Sequence, residues 1–309
     1  MDVMDLMAEG KVKRFFRARR KLTAPNIVSH ITQRAAGKEP LFLEDQDYLH
    51  MVWLLKDVAK NASLRVYAFC LMPNHVHLLV SPREENLHDA MRELFSRYAS
   101  NFNRKYERKG HLFGGRYRQA VCLDDSYLLA ASLYIHLNPV RAGLAPNPVE
   151  YRWSSCRLYT DRTVGKSFVD AGFILSLLPE NKKEKYVGLL ERGMALELGE
   201  VMEQEEAIEN FREKLIFLYP LIFARVARMK KVVGHSGLEL MGMEELEDLV
   251  SDTKEGPYPG KPKGREAKKY LIEQLVSRGY KREYIAKQLG ISRKTVYNIL
   301  KSPPNRSPS

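Results

Sequence analysis

The spacing of apolar and polar positions changes period several times between residues 26 and 145, and each change marks an element. "NIVSHITQRA" (26–35) is a short β-prone run and predicts a strand. In "EDQDYLHMVWLLKDVAKNA" (44–62), Tyr48, Val52, Leu55 and Val58 fall on one helical face. "LRVYAFCLM" (64–72) predicts a strand. A second follows across a tight Pro73-Asn74 turn, carried by Val76, Leu78, Leu79 and Val80 and stopped by Ser81-Pro82. "ENLHDAMRELFSRYASNFNRKYE" (85–107) is amphipathic at helical spacing, and "RYRQAVCL" (116–123) predicts another strand. The order strand–helix–strand–strand–helix–strand is that of a split βαβ, ferredoxin-like antiparallel sheet with two helices on one face. The other face is then expected to be open, with the strand after Pro73 central in it.

A further helix starts in "DDSYLLAASLYIHLNPVRAG", capped by Asp124 or Asp125 and closed by Gly143, Pro146 and Pro148. Residues 165 to about 250 read as helical, with "FREKLIFLYPLIFARVARM" broken by Pro220, and suggest no chemistry. "KEGPYPGKPKG" (254–264) reads as a linker. In "REYIAKQLGISRKTVYNILK" (282–301), Ala286 is small where two helices must cross. Gly290 supplies a left-handed turn residue, and Ser292 can cap the second helix. Ile285, Leu289, Ile291, Val296, Ile299 and Leu300 would form a small core. Arg293, Lys294, Thr295, Tyr297 and Asn298 are left for a major groove and its phosphates. The stretch resembles the helix-turn-helix of resolvases and regulators.

The strand after Pro73 is unusual because it carries His75 and His77. Strand side chains alternate, so the two imidazoles share a face while Val76, Leu78 and Val80 take the other. Paired imidazoles can converge on one cation, or simply sit on a solvated sheet face. Tyr134 and Asn138 lie four residues apart on one helix face, a hydroxyl nucleophile beside an amide oxygen suited to a hard cation. Pro139 disfavours the α region at Asn138, so the helix is expected to end there.

Charge narrows the partner. The chain of 309 residues has a net charge of +12, concentrated in patches. They are "KVKRFFRARRK" (11–21), "NRKYERKGHLFGGRYRQ" (103–119), and residues 260–309 with thirteen Lys/Arg against three acids. "ELGEVMEQEEAIE" and "MEELEDLVSD" run the other way. Basic patches suggest a polyanion, and the rings interleaved in the second favour nucleic acid. Cys70, Cys122 and Cys156 are dispersed and odd in number, which suggests a cytoplasmic protein without a disulfide framework or a zinc site. Neither a secretory signal nor an apolar run of about 18 residues is evident, so no membrane role is expected.

"IVSHITQRAAGKEPLF", "AFCLMPNHVHLLVSP", "GHLFGGRYRQAVCLDDSYLLAASLYIHLNPVRAGL" and "YRWSS" follow in order between residues 27 and 155. Together they resemble the REP-associated tyrosine transposases, a group within the single-tyrosine HUH transposases. The resemblance implies the ferredoxin-like HUH catalytic core already read from the pattern, at 22–160; with the helical region at 165–253 and the helix-turn-helix at 260–303, an α+β chain is expected. It implies that His75 and His77 bind a divalent metal, Mg²⁺ or Mn²⁺, with Asn138 where insertion-sequence relatives have glutamine. It makes Tyr134 the nucleophile rather than Tyr127, forming a 5′-phosphotyrosine and a free 3′-OH. Rejoining would need no ATP, and no P-loop is present. The substrate would be single-stranded or hairpin DNA, held by Arg104, Arg116, Tyr117 and Arg118. Two rivals stand beside this reading: RNA binding on the same fold order, and a domesticated, non-catalytic DNA-binding protein or regulator. The first lacks an RNP1-type aromatic signature in "RYRQAVCL". His30 and His136 are read as structural, with a supporting role open to each.

Overall fold

A computed structural model describes residues 25–37, 39–122, 124–161, 163, 167–196, 207–229, 231–232 and 282–301, together with Phe15, Phe16, Ile272 and Leu275. Two compact units are separated, Phe15–Gly237 and a second formed by Met1–Arg14 with Leu238–Ser309.

The first unit is built on a five-stranded antiparallel sheet. In chain order its strands are β1 (Phe15–Phe16), β2 (Ser29–Arg34), β3 (Leu64–Met72), β4 (His75–Pro82) and β5 (Arg118–Val121), arranged β1-β5-β2-β4-β3. Strands β2 to β5 are the four the hydrophobic pattern predicts, and they take the ferredoxin-like order with the histidine strand central. Helices α1 (Asp45–Asn61) and α2 (Leu87–Lys105) cover one face. That face buries Val76, Leu78 and Val80 of β4 against Leu54, Leu55, Val58, Leu94 and Tyr98. Glu44 and Asp47 form a reciprocal capping box at the start of α1.

The opposite face is not open. Helix α3 (Asp125–Arg141) lies across it, and Leu79 of β4 joins Leu128, Ala131, Leu133 and Ile135 in a second core. Four further helices, α5 (Ala171–Leu175), α6 (Lys182–Met194), α7 (Ala207–Leu218) and α8 (Pro220–Ala227), pack into that core through Ile174, Leu189, Phe211 and Phe223. The helical region after residue 165 therefore shares one core with the sheet. It sandwiches α3, which is buried along nearly its whole length. A helix apolar on every side is what such a position requires. Asp124 caps α3 by accepting from the Tyr127 N–H at 2.7 Å.

Helix α3 does not end at Asn138; it runs through Pro139 to Arg141. Proline removes one backbone donor. The Ala142 and Leu144 N–H groups still reach the Asn138 and Pro139 carbonyls at 3.0 and 2.8 Å, and packing on both sides holds the turn.

Residues 151–155 run along the outer edge of β3. Leu71 N–H donates to the Trp153 carbonyl at 2.9 Å, and Ser155 N–H to the Phe69 carbonyl at 3.0 Å. Short helix α4 (Cys156–Thr160) follows. Trp153 stacks on Tyr48, and Tyr48 on Phe42, with centroids 4.4 and 4.2 Å apart. Cys70, Cys122 and Cys156 are free and buried. Among the described residues no helix is long and apolar enough to cross a membrane.

In the second unit, α9 (Arg282–Gln288) and α10 (Arg293–Lys301) meet across Gly290, which has φ +61°. Ser292 Oγ accepts from the Thr295 N–H at 3.0 Å, as its capping place predicts. Ile285, Ala286, Leu289, Val296 and Ile299 are buried, as are Ile272 and Leu275. The linker at 254–264 lies outside the described residues.

Ser155 is the knot between the two cores. Its Oγ lies 2.8 Å from His136 Nε2 and accepts from the Phe69 N–H at 2.9 Å. Ser155→Ala strands both groups in the interior and should lower stability by about 1–3 kcal/mol in urea unfolding.

Candidate active site

Alternation along β4 turns His75 and His77 toward α3, and register brings a second polar row from β2. His30, Thr32 and Arg34 lie opposite Leu79, His77 and His75 in the β2–β4 pairing. The His75 and His77 rings meet edge to face at 4.8 Å, and His30 stacks on His77 at 5.0 Å. From the helix side, the Tyr134 ring stands 6.2 Å from His77 and 6.4 Å from His30, edge-on to both. The structure thus brings Tyr134 to the histidine pair. Tyr127, two turns earlier on α3, is fully buried in the second core.

Hydrogen bonds set the tautomers. Asn74 Oδ1 lies 2.7 Å from His75 Nδ1, and an amide oxygen only accepts, so that nitrogen carries the proton. The lone pair of His75 is then on Nε2. His77 Nδ1 lies 2.8 Å from His30 Nε2, with Thr32 Oγ1 at 3.3 Å. Where His77 donates to His30, its own lone pair is also on Nε2. Burial pushes His30 down to about 4, helped by the neighbouring His75. His77 is held well below the usual imidazole range by burial, then by His75, His30 and Arg34. Neutral imidazoles with Nδ1 engaged are the form in which histidine binds metal.

Asn138 sits one turn beyond Tyr134, and its Nδ2 donates to the Tyr134 carbonyl at 3.1 Å. Its Oδ1 is the atom suited to a cation. No cluster of three or more His, Cys, Asp or Glu side chains suited to a metal occurs among the described residues. A cation held by the two imidazoles would therefore need oxygen donors besides them, for which the Asn138 amide oxygen and a substrate are candidates. That donor set fits a divalent ion and does not select one.

The basic stretch at 103–119 divides between the two faces of the sheet. Arg118 is exposed and lies opposite Thr32 in register, on the histidine face. Arg116 and Tyr117 instead line a groove of about 860 Å³ against α2, with Gln33, His88, Arg92, Asn103 and His111. Tyr117 is 5% exposed, its ring set among the α1–α2 core and not offered for stacking. Arg104 is exposed on α2. In the helix-turn-helix, Arg293, Lys294, Tyr297 and Asn298 are exposed and Thr295 half-buried; Arg293 pairs with Glu283 at 2.9 Å.

Some neighbours of the site have no signature of their own in the sequence. Arg34 could have been found by counting two residues at a time from His30. Phe211 could not, because it arrives from α7, 77 positions beyond Tyr134, with ring centroids 6.3 Å apart. His136 is not at the site. It is fully buried, bound to Tyr186 Oη and Ser155 Oγ at 2.8 Å each, and pushed down to about 3 by burial.

Tyr134 itself is 4% exposed. A tyrosine-selective nitrating reagent should therefore modify Tyr134 far more slowly than Tyr297, which is 48% exposed. Phe211→Ala should narrow the difference, read by peptide mass mapping.

Residues 23–138 match the family model of IS200-like transposases, and residues 261–302 match that of the helix-turn-helix domain of resolvase. A solved structure described as the REP-associated tyrosine transposase bound to a REP hairpin is 14% identical, with a TM-score of 0.42. The match covers 50% of this chain and 94% of that one. No curated protein matches.

Proposed function

We propose that this chain, in which residues 23–138 are an IS200-like transposase domain and residues 261–302 a DNA-binding helix-turn-helix, nicks and rejoins single-stranded or hairpin DNA through Tyr134. The observation that carries the reading is the approach of the Tyr134 ring to the His77 and His30 rings, from a different element and across the sheet.

A tyrosine hydroxyl near its ordinary pKa of about 10 is a poor nucleophile at neutral pH. A divalent cation, Mg²⁺ or Mn²⁺, held by His75, His77 and Asn138 would supply polarisation of a non-bridging phosphate oxygen. The rest falls to the chain. Asn74 and His30 keep the two imidazoles in their ligating tautomer, and α3 presents Tyr134 in line with the phosphate. Tyr134 Oη forms a bond to phosphorus as the bond to the 3′ oxygen breaks. The phenolic proton is lost to solvent, and the 3′ oxygen leaves as a hydroxyl. The reverse attack by a 3′-OH restores the strand, with the bond energy kept in the phosphotyrosine. Arg104, Arg116 and Arg118 belong to the DNA path in this reading, Arg118 on the histidine face and the others toward α2, while the buried Tyr117 ring supports that path from the core.

One observation favours a second reading. A nucleophile only 4% exposed suits a chain that binds DNA without cutting it. The two part on one experiment. Protein mixed with labelled hairpin oligonucleotides copied from the DNA flanking its gene, with Mn²⁺, should form an adduct that survives denaturing gels. Tyr134→Phe should form none. An adduct that persists in Tyr134→Phe would displace Tyr134 as nucleophile, and a wild type inert on every hairpin would leave the binding protein.

Metal chemistry has its own test. His75→Ala and His77→Ala should abolish the adduct and keep DNA binding. Asn74→Ala, which releases His75 Nδ1, should weaken Mn²⁺ binding by about 10- to 100-fold in calorimetry.

The helix-turn-helix is proposed to read duplex DNA through Arg293, Lys294, Thr295, Tyr297 and Asn298. Lys294→Ala in the full chain should weaken duplex binding and lower its salt dependence by about 0.9 in log–log slope for each phosphate no longer neutralised. Hairpin nicking should be left as it was.

A further inference from the structure

Tyr134, Asn138 and Arg141 recur at helical spacing on one face of α3, and helix side chains lean toward the N-terminus. Arg141 accordingly reaches back over Tyr134. Its Cζ lies 5.5 Å from the Tyr134 ring centroid and 4.5 Å from that of Phe211, so the guanidinium is held between the two rings. Its polar contacts are poor. Nη2 has a long contact of 3.4 Å to the Gly193 carbonyl, and Nη1 is sealed from solvent with no hydrogen-bond partner among the described residues. No ion pair of Arg141 with a carboxylate occurs among them either.

Such a group is costly to keep. Arginine presents five N–H donors, and a half-buried guanidinium without an anion gives up part of its hydration for little return. Burial draws Arg141 down to about 10, opposed by the Tyr134 oxygen, so it stays charged at neutral pH. An apolar side chain would fill the space between Tyr134 and Phe211 at lower cost. A charge retained there, against the ring of the reacting residue, has a use that the free protein does not satisfy.

We propose that Arg141 binds the phosphate that Tyr134 attacks and then carries, with Nη1, unpaired among the described residues, as the donor that an approaching phosphate engages. The inference rests on the reading of Tyr134 as nucleophile. Arg141 then holds the scissile phosphate over Tyr134 before attack and neutralises the phosphotyrosine after it. A guanidinium suits this better than an ammonium, because its planar fork stacks on the rings and still donates at its edge.

Arg141→Met keeps the stem and the packing and removes the charge; Arg141→Lys keeps the charge and loses the fork. With Mn²⁺ and the flanking hairpins, Arg141→Met should form adduct about 10²- to 10³-fold more slowly than wild type, with Arg141→Lys between them. Its thermal unfolding should be no lower. A packing role alone would leave Arg141→Met as fast as wild type, and that result overturns the proposal. The second arm needs no chemistry. In a Tyr134→Phe background, Arg141→Met should reduce the salt dependence of binding to a single-stranded oligonucleotide by about 0.7 in log–log slope, the share of one phosphate. An unchanged slope also overturns it. A wild type that forms no adduct, with the slope still reduced, would remove the nicking function and leave Arg141 as a phosphate-binding residue.

Discussion

The helix Asp125–Arg141 has no face turned to water, and the rest of the unit is arranged around that constraint. On one side it lies on the sheet, where alternation along β4 has placed two histidines rather than two valines. On the other it is held by the helices beyond residue 165. Every polar group on it must therefore find a partner inside the protein. Ser132 and His136 find theirs in Tyr186 and Ser155. Tyr134 turns toward the histidines, with Asn138 bonded to its carbonyl and Arg141 against its ring.

Much of this was legible in the amino-acid order, for physical reasons. Period-two and period-3.6 patterns mark elements with one wet face, so α1, α2 and the strands β2 to β5 were readable within a few residues of their ends. Caps are local chemistry, and Asp124 and Ser292 stand where their side chains predict. The two imidazoles on one face follow from strand geometry alone. The four-strand, two-helix order predicts an open sheet face because it describes only half of the packing. The signal against it lay in "SYLLAASLYIHL", apolar on all sides, which demands cover above and below. Pro139 fails to end the helix for a related reason. Proline ends a helix whose last turn faces water more readily than one gripped on both sides.

The site itself divides in the same way. His75, His77 and Tyr134 belong to motifs and could be named. His30 and Arg34 reach the site through strand register, which pairs residues 41 to 49 positions apart; alternation places the two on one face, but no local pattern says which strand that face meets. Arg141 carried no local signal, since an arginine near a helix C-terminus ordinarily serves the helix dipole from the surface. The stretch around Tyr117 shows the converse. Interleaved rings and cations read as one binding surface, but a strand sends neighbours to opposite faces, and only Arg118 joins the histidines.

The segment Tyr151–Ser155 has a bearing on how copies of this chain can meet. It uses the Leu71 N–H and the Phe69 carbonyl, while Tyr159 Oη takes the Tyr67 carbonyl. β1 occupies the far edge of β5. The β3 margin of the sheet is thus spoken for. A second molecule could extend it past β3 only by peeling away Ser155, and His136 would lose its partner two residues from Tyr134. Strand addition at β3 and the Ser155–His136 contact that anchors α3 are mutually exclusive.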